Sequence, residues 1–159
     1  MGRRGGGAGQ ADRDESPAPD RVMGVTYGTG ALIAADRGER RLWARHRAIL
    51  ARREVPTVPA PVVAQSWRGG GRQALLARLL AGCDVEALDD DQARAVGSLA
   101  ARAATTDIVD ACVVEGAMRR HDLVVSSDED NLQAIAAAVS SRLEVDRPLT
   151  AATLTAAPK

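Results

Sequence analysis

Residues 106–132 read TDIVDACVVEGAMRRHDLVVSSDEDNL and contain three patterns in succession. The segment 106–118 is apolar almost all round, which predicts a helix buried within a domain. The short apolar run 123–126 predicts a strand, and the acidic residues 127–130 open an amphipathic pattern that predicts a further helix. A strand enclosed between two helices is typical of a parallel sheet that helices cover.

The same alternation extends over most of the chain, so the predicted fold class is α/β. Strands are predicted at 22–27, 57–58, 85–88, 123–126 and 143–145. Helices with one apolar face are predicted around 31–35, 42–50, 75–80 and 132–139, where apolar residues recur at helical spacing.

The 159 residues, 45% of them hydrophobic, can form one core of ordinary size, so a single domain is predicted at 22–147. Residues 1–21 are rich in Gly, Arg, Asp and Pro and are predicted to be a disordered extension. Residues 148–159 are predicted to be a flexible tail. No run approaches the ~20 apolar residues that span a bilayer, and the start lacks a signal-peptide core. These features predict a cytoplasmic protein that does not bind membranes.

The net charge, the two cysteines and the two histidines limit the classes of function that the sequence supports. Lys+Arg and Asp+Glu number 21 each, so net charge favours neither a polyanion nor a membrane surface. Cys83 and Cys112 have apolar neighbours and no metal-ligand spacing, which predicts buried thiols. His46 lies on the apolar stripe of a helix and is predicted to be a core residue. His121 has no evident partner, so a catalytic triad has little support.

Asp107 and Asp110 form the first candidate site. They are three residues apart on a predicted helix, so their side chains project from the same face. Buried carboxylates that lie close together raise one another's pKa unless a cation neutralises them, which favours a divalent metal ion. Alternatively, Asp107 begins the helix, where the helix dipole favours an acid, and Asp110 pairs with an arginine.

The acidic cluster at 127–130 forms a second candidate site. It follows a predicted strand, and ligands of open α/β sheets bind at the carboxyl ends of the strands. Asp128 and Asp130 are its candidate ligands. Ser127 and Asp130 also match a capping box, which would stabilise a helix without any catalytic role.

The first predicted strand ends in a glycine-rich turn, YGTG at 27–30. Thr29 is predicted to cap the next helix and to present its hydroxyl group at the same edge of the sheet. Because the turn has neither a Walker lysine nor a full dinucleotide fingerprint, it does not favour nucleotide binding.

Arginines are concentrated in two segments. Seven lie within residues 37–53, and Arg68 and Arg72 flank a triple-glycine turn. Such a surface suits RNA phosphates. Alternatively, the arginines of 37–53 are the solvated face of an amphipathic helix.

Four segments, taken in order, resemble the PIN-domain family, in particular the VapC-type ribonuclease toxins of type II toxin-antitoxin pairs. They are YGTGALIAAD at 27–36, PAPVVAQSWRGG at 59–70, TDIVDACVVEGA at 106–117 and LVVSSDEDNL at 123–132. The resemblance covers residues 22–145. It implies a three-layer α/β/α domain with a short, mostly parallel central sheet of four to five strands.

The resemblance also implies a metal site. Asp110 and Asp128 match two catalytic acids that hold Mg²⁺ or Mn²⁺, and Asp107 and Asp130 are neighbouring acids that supplement them. Thr29 matches a hydroxyl residue of the site. The RNA-binding candidates are Arg41, Arg45, Arg68 and Arg72.

The sequence departs from the family at two acids. Gly28 stands where the family has its first metal-binding aspartate, and Gln65 stands where it usually has a glutamate. Glycine offers no side-chain ligand, and fewer charged ligands weaken Mg²⁺ binding.

The implied activity is endoribonucleolytic hydrolysis, in which the metal activates water for attack on an RNA phosphodiester. The implied partner is a small antitoxin protein, and a homodimer is left open. The alternative is a catalytically inactive homologue that acts as an antitoxin-binding module, which Gly28 and Gln65 favour. A third, remoter interpretation is a receiver-like domain, which the absence of any lysine before Lys159 disfavours.

Overall fold

A computed structural model of the protein describes residues 24–148. The predicted extension 1–21 and all but the first residue of the predicted tail lie outside this range. The described strands are β1 (Gly24–Tyr27), β2 (Thr57–Pro59), β3 (Asp84–Glu86), β4 (Asp122–Val125) and β5 (Val145–Asp146). The described helices are α1 (Thr29–Asp36), α2 (Arg40–Ala51), α3 (Ala60–Ser66), α4 (Ala74–Ala81), α5 (Asp90–Ala103), α6 (Ile108–Arg120) and α7 (Glu129–Ala137).

The five strands form one parallel sheet in the order β3-β2-β1-β4-β5. The amino-terminal strand β1 is therefore central, and it pairs with β4 over its whole length, from Gly24 opposite Asp122 to Tyr27 opposite Val125. Parallel strands need crossover connections, which the helices supply. The result is a three-layer α/β/α domain, as the sequence predicted.

All five predicted strands are present among the described residues, with ends there that differ by at most two positions. Residues 22 and 23 of the first predicted strand lie outside the described range. The predicted buried helix is α6, and its buried residues include Ala111, Val113 and Val114. Two helices, α3 and α5, were not predicted. The start of α5 carried a usable signal, because Asp89 and Gln92 form a capping box there.

The core lies between the sheet and its helices. Tyr27, Leu32, Val58, Val114 and Ile135 are among its fully buried or nearly fully buried members. Most of the apolar residues that defined the predicted strands and helices therefore lie in this core.

His46 is a core residue, as predicted. It is buried, and its Nδ1 atom is hydrogen-bonded to the Tyr27 hydroxyl at 3.0 Å. Burial lowers the pKa of His46. Cys112 is buried as predicted, whereas Cys83 is only half-buried, and both thiols are free.

A charged network around Arg120, the last residue of α6, joins strands β1, β3 and β4. The Arg120 guanidinium donates to Asp122 at 2.9 Å, to Thr26 at 2.9 Å and to Glu86 at 2.6 Å. The Thr26 hydroxyl donates to Asp122 at 2.7 Å. Each polar group in this network therefore has a partner, which limits the cost of burying the charges.

Across residues 24–148, no helix has the length and the apolar character needed to cross a membrane.

Candidate active site at the carboxyl edge of the sheet

The carboxyl ends of β1 and β4 meet at one edge of the sheet. The Gly28 amide, one residue past β1, donates to the Val125 carbonyl at 3.0 Å. The helix α6 leads directly into the start of β4, so its first turn lies at this same edge. The edge therefore collects the start of α6 and the residues that follow β4.

Asp110 is the buried acid of this edge. Its carboxylate accepts a 2.5 Å hydrogen bond from Nδ2 of Asn131, in the first turn of α7. The pKa of Asp110 is raised to about 6, chiefly by burial and also by the nearby carboxyl groups of Asp107 and Asp128, whereas the Asn131 hydrogen bond lowers it. The structure thus brings Asp128, of the second candidate site, to the two acids of the first.

Asp107 caps α6. Its Oδ1 atom accepts a 3.0 Å hydrogen bond from the Asp110 amide, which confirms the alternative that Asp107 begins the helix. The alternative for Asp110, an arginine partner, is wrong, because its hydrogen-bond partner is Asn131. Among residues 24–148, no ion pair involves Asp107, Asp110 or Asp128.

Asn131 is the site residue that sequence reasoning missed. The available signal was its spacing, since it lies three residues after Asp128 and so faces the same way on the first turn of α7. A polar residue at the start of an amphipathic helix otherwise looks like an ordinary surface residue.

The start of α7 differs from the predicted capping box. Asp128 is the N-cap residue, and no side chain caps the helix. Ser127 instead lies against the YGTG turn, because a Cβ atom placed on Gly30 would be 2.2 Å from its Oγ atom. Asp130 points outward, with a 99% exposed side chain 3.8 Å from Arg147. The described structure therefore does not bring Asp130 to Asp110.

A side chain at position 28 would crowd Ser126 at the end of β1. A Cβ atom on Gly28 would lie 2.9 Å from Oγ and 3.0 Å from Cβ of Ser126. Such contacts are closer than van der Waals packing allows without movement of the neighbour. The missing first acid is thus matched by a serine that occupies the adjacent space.

The prediction that Thr29 caps α1 is wrong, because Thr29 is the first helical residue and Gly28 holds the N-cap position. Its hydroxyl group donates to Oε1 of Gln65 at 2.6 Å. This bond links the start of α1 to α3, so Thr29 and Gln65 are neighbours in the structure although 36 residues separate them.

The candidate RNA-binding arginines form two groups. Arg41 and Arg45 line a cavity of about 150 Å³ beside the ends of β4 and β5, where Arg45 is paired with Asp146. Arg68 and Arg72 lie in the exposed segment between α3 and α4. Several α2 arginines are exposed, as the solvated-face alternative expects.

The donor set at Asp110 suits a hard cation that keeps part of its water shell. Within residues 24–148, no three His, Cys, Asp or Glu side chains are arranged to hold a metal ion by themselves. Mg²⁺, however, is usually held by one or two carboxylates and completes its octahedron with water and substrate phosphate. Asp110 and Asp128 fit that requirement, and they do not fit an ion that needs a complete protein cage.

No protein-family model matches the sequence, and no curated protein matches it. Solved structures of similar fold include the following three. FitAB bound to the IR36 DNA fragment matches at 16% identity with a TM-score of 0.55, over 78% of this chain and 94% of that one. VapBC2 from Rickettsia felis, bound to a DNA fragment from its promoter, matches at 13% identity with a TM-score of 0.59, over 79% of this chain and 98% of that one. PAE2754 from Pyrobaculum aerophilum matches at 15% identity with a TM-score of 0.53, over 77% of this chain and 83% of that one.

Identities of this size establish the fold alone. The TM-scores of 0.53 to 0.59 show that this chain and those structures share a fold. The protein therefore has the PIN fold that its motifs predicted.

Proposed function

We propose that the protein is the toxin of a type II toxin-antitoxin pair and acts as a Mg²⁺- or Mn²⁺-dependent endoribonuclease. The observation that carries this proposal is the state of Asp110. It is a buried carboxylate with a raised pKa, it faces two further acids, and it has no cationic partner within residues 24–148. A divalent cation at this point would neutralise the like charges.

Asp110 and Asp128 would hold the ion, and Asp107 would add negative charge beside it. When bound, the ion supplies an activated water and stabilises charge on the phosphoryl oxygens. Asn131 orients the Asp110 carboxylate through its 2.5 Å hydrogen bond. The Thr29–Gln65 pair presents neutral polar groups at the start of α1. Asp130 is proposed to supplement the site only by long-range charge, since it faces solvent.

The substrate is proposed to be RNA, held through its phosphates by Arg41, Arg45, Arg68 and Arg72. Guanidinium groups bind phosphate oxygens through paired N–H donors, and their contribution falls as salt rises. The proposed partner is a small antitoxin protein, and the proposed location is the cytoplasm. FitAB and VapBC2, whose fold the chain shares, are complexes bound to DNA fragments, which agrees with a toxin-antitoxin setting.

A second candidate function is supported by the Gly28–Ser126 contact. Because position 28 carries no acid and a side chain there would crowd Ser126, a catalytically inactive PIN homologue that binds antitoxin is the alternative.

The two candidates are separated by calorimetric titration of Mn²⁺ together with a cleavage assay on total RNA. The samples are the unmodified protein, Asp110→Asn and the control Asp90→Asn, an exposed acid on α5. The nuclease proposal expects binding and cleavage in the unmodified protein and in Asp90→Asn, with both lost in Asp110→Asn. Folded protein that binds no Mn²⁺ and cleaves no RNA would refute it and favour the binding module.

A further inference from the structure

Trp67 is unusual among the aromatic residues of this chain. The sequence contains two Trp, one Tyr and no Phe. Tyr27 is fully buried, and Trp43 packs against the core and donates from Nε1 to the Ala35 carbonyl at 3.1 Å. Trp67, in contrast, is 41% exposed. A large aromatic surface left in water, in a chain with so few aromatic residues, points to contact with a ligand.

The segment that carries Trp67 is held in one shape by a buried side chain. Oε1 of Gln73 accepts hydrogen bonds from the amides of Arg68 at 2.7 Å and Gly69 at 3.0 Å, and its Nε2 atom donates to the Ser66 carbonyl at 2.9 Å. Gly69 and Gly70 adopt positive φ angles of 80° and 90°, which glycine tolerates and other residues rarely adopt. The backbone beside Trp67 is therefore fixed before any ligand binds.

Trp67 also lies close to the candidate active site. It is two residues beyond Gln65, and Gln65 accepts the 2.6 Å hydrogen bond from Thr29 at the carboxyl edge. Two residues of chain span at most about 7 Å, so the Cα atoms of Trp67 and Gln65 lie within that distance. Arg68 follows directly, and its Nη1 atom donates to the Trp67 carbonyl at 2.8 Å, which keeps its guanidinium beside the loop.

We propose that Trp67 is a nucleobase-stacking residue for single-stranded RNA, with Arg68 contacting the adjoining phosphate. This inference rests on the proposed function, because it takes RNA as the ligand. An indole face stacks on any base, and a neighbouring guanidinium supplies the charge that a single strand requires. Because Gln73 fixes the loop beforehand, little backbone ordering is lost on binding.

The test uses the fluorescence of Trp67 itself. The Trp43→Phe variant leaves Trp67 as the single tryptophan, and the additional Asp110→Asn substitution with chelator present keeps the RNA intact. Titration with a short single-stranded oligouridylate is expected to quench the emission saturably. In the same background, with binding followed by anisotropy of labelled RNA, Trp67→Leu is expected to weaken the Kd by about 10-fold, within the range for one stacked base.

Two variants serve as controls. Trp67→Phe keeps an aromatic face and is expected to retain most of the affinity. Leu75→Ala removes a comparably exposed apolar side chain from α4 and is expected to leave the Kd unchanged. Circular dichroism on each variant checks that the fold is kept.

The outcomes separate this inference from the proposed function. Saturable quenching in the test background, together with no RNA cleavage by the unmodified protein in the presence of Mn²⁺, would refute the nuclease and leave the stacking role of Trp67 standing. Absence of quenching, or an equal Kd for Trp67→Leu and the parent, would overturn the stacking role. Sedimentation analysis tests a competing role. If the parent is a dimer that dissociates in Trp67→Leu, Trp67 contacts a second copy of the chain, and the stacking role is overturned.

Discussion

Asn131 in α7 and Asp110 in α6 are joined by a 2.5 Å hydrogen bond from Nδ2 to Oδ2, across 21 residues of sequence. The bond favours the ionised carboxylate, so it holds the pKa of Asp110 below the value that burial alone would give. Metal binding requires that ionised form.

Replacing Asn131 with Ala therefore shifts the pH dependence of Mn²⁺ binding upward. The pKa of Asp110, about 6 in the parent, rises further when the donor is removed. Binding then begins at higher pH, by roughly one unit for the loss of one hydrogen bond to a charged group. Calorimetric titrations over a pH series measure this shift. An unchanged pH midpoint would mean that Asn131 does not control the ionisation of Asp110.

Asp110→Asn is expected to stabilise the metal-free protein at neutral pH while removing metal binding. The folded pKa of Asp110 lies above its unfolded value, so the folded state binds the proton more tightly. The contribution of Asp110 to stability is therefore most favourable below about pH 4, and it is lost as pH rises through about 6. The Asn side chain carries no charge at neutral pH and so avoids that loss.

The expected gain from Asp110→Asn is about 1–2 kcal/mol, since the favourable interaction of an acid with the start of α6 is lost at the same time. Urea unfolding at neutral pH measures it, with Asp90→Asn as the surface control. A variant less stable than the parent would show that the charge of Asp110 stabilises the fold without a metal.

Gly28→Asp alone is expected to destabilise the protein instead of completing the metal site. The new Cβ atom would meet Ser126 at 2.9 to 3.0 Å, and overpacking of this kind costs about 1–3 kcal/mol. The double variant Gly28→Asp with Ser126→Gly provides the space. We expect it to bind Mn²⁺ more tightly than the parent and to cleave RNA faster.

Gly97→Asp is the control for that pair, because the space around Gly97 on α5 is open. It is expected to change the free energy of unfolding by less than about 0.5 kcal/mol. Thermal unfolding compares the three variants. Equal stability of Gly28→Asp and Gly97→Asp would contradict the role given to Ser126.

His46 makes the stability of the fold depend on pH. Burial lowers its pKa in the folded state, so the unfolded chain binds the proton more readily. The neutral ring is favoured at and above about pH 7, and stability is lost as pH falls below the unfolded value of about 6.5. His46→Gln is expected to reduce this loss, because the amide side chain has no proton to bind in the unfolded chain. Urea midpoints over a pH series test the difference.

The sequence predicted those features that local patterns determine. The apolar segment 106–118 indicated a buried helix, and strand ends followed by Gly28 and by Asp128 indicated the edge of the sheet where the acids meet. Contacts between distant segments were not predictable in the same way. The bond from Thr29 to Gln65 depends on how α3 crosses the edge, which no local pattern records.

Ser127 shows how tertiary packing overrides a local motif. Its spacing to Asp130 fits a capping box, but the close approach of the residues after β4 to the YGTG turn places it against Gly30. The same approach explains why Gly28 and Gly30 are glycines, since a side chain at either position would collide with a serine.

The central place of β1 in the sheet has a consequence for synthesis of the chain. Thr26 of β1 is hydrogen-bonded to Asp122 of β4, which lies 96 residues later in the chain. During synthesis, β1 therefore lacks this partner until β4 has been made. Contacts of such long range make folding slow, and on the ribosome β1 can pair with β4 only after residues 122–125 have emerged. Asp128 lies three residues beyond β4, so a nascent chain that ends before it has neither the strand β5 nor the complete acidic cluster. Any activity at this edge would therefore begin only after α7 has been made.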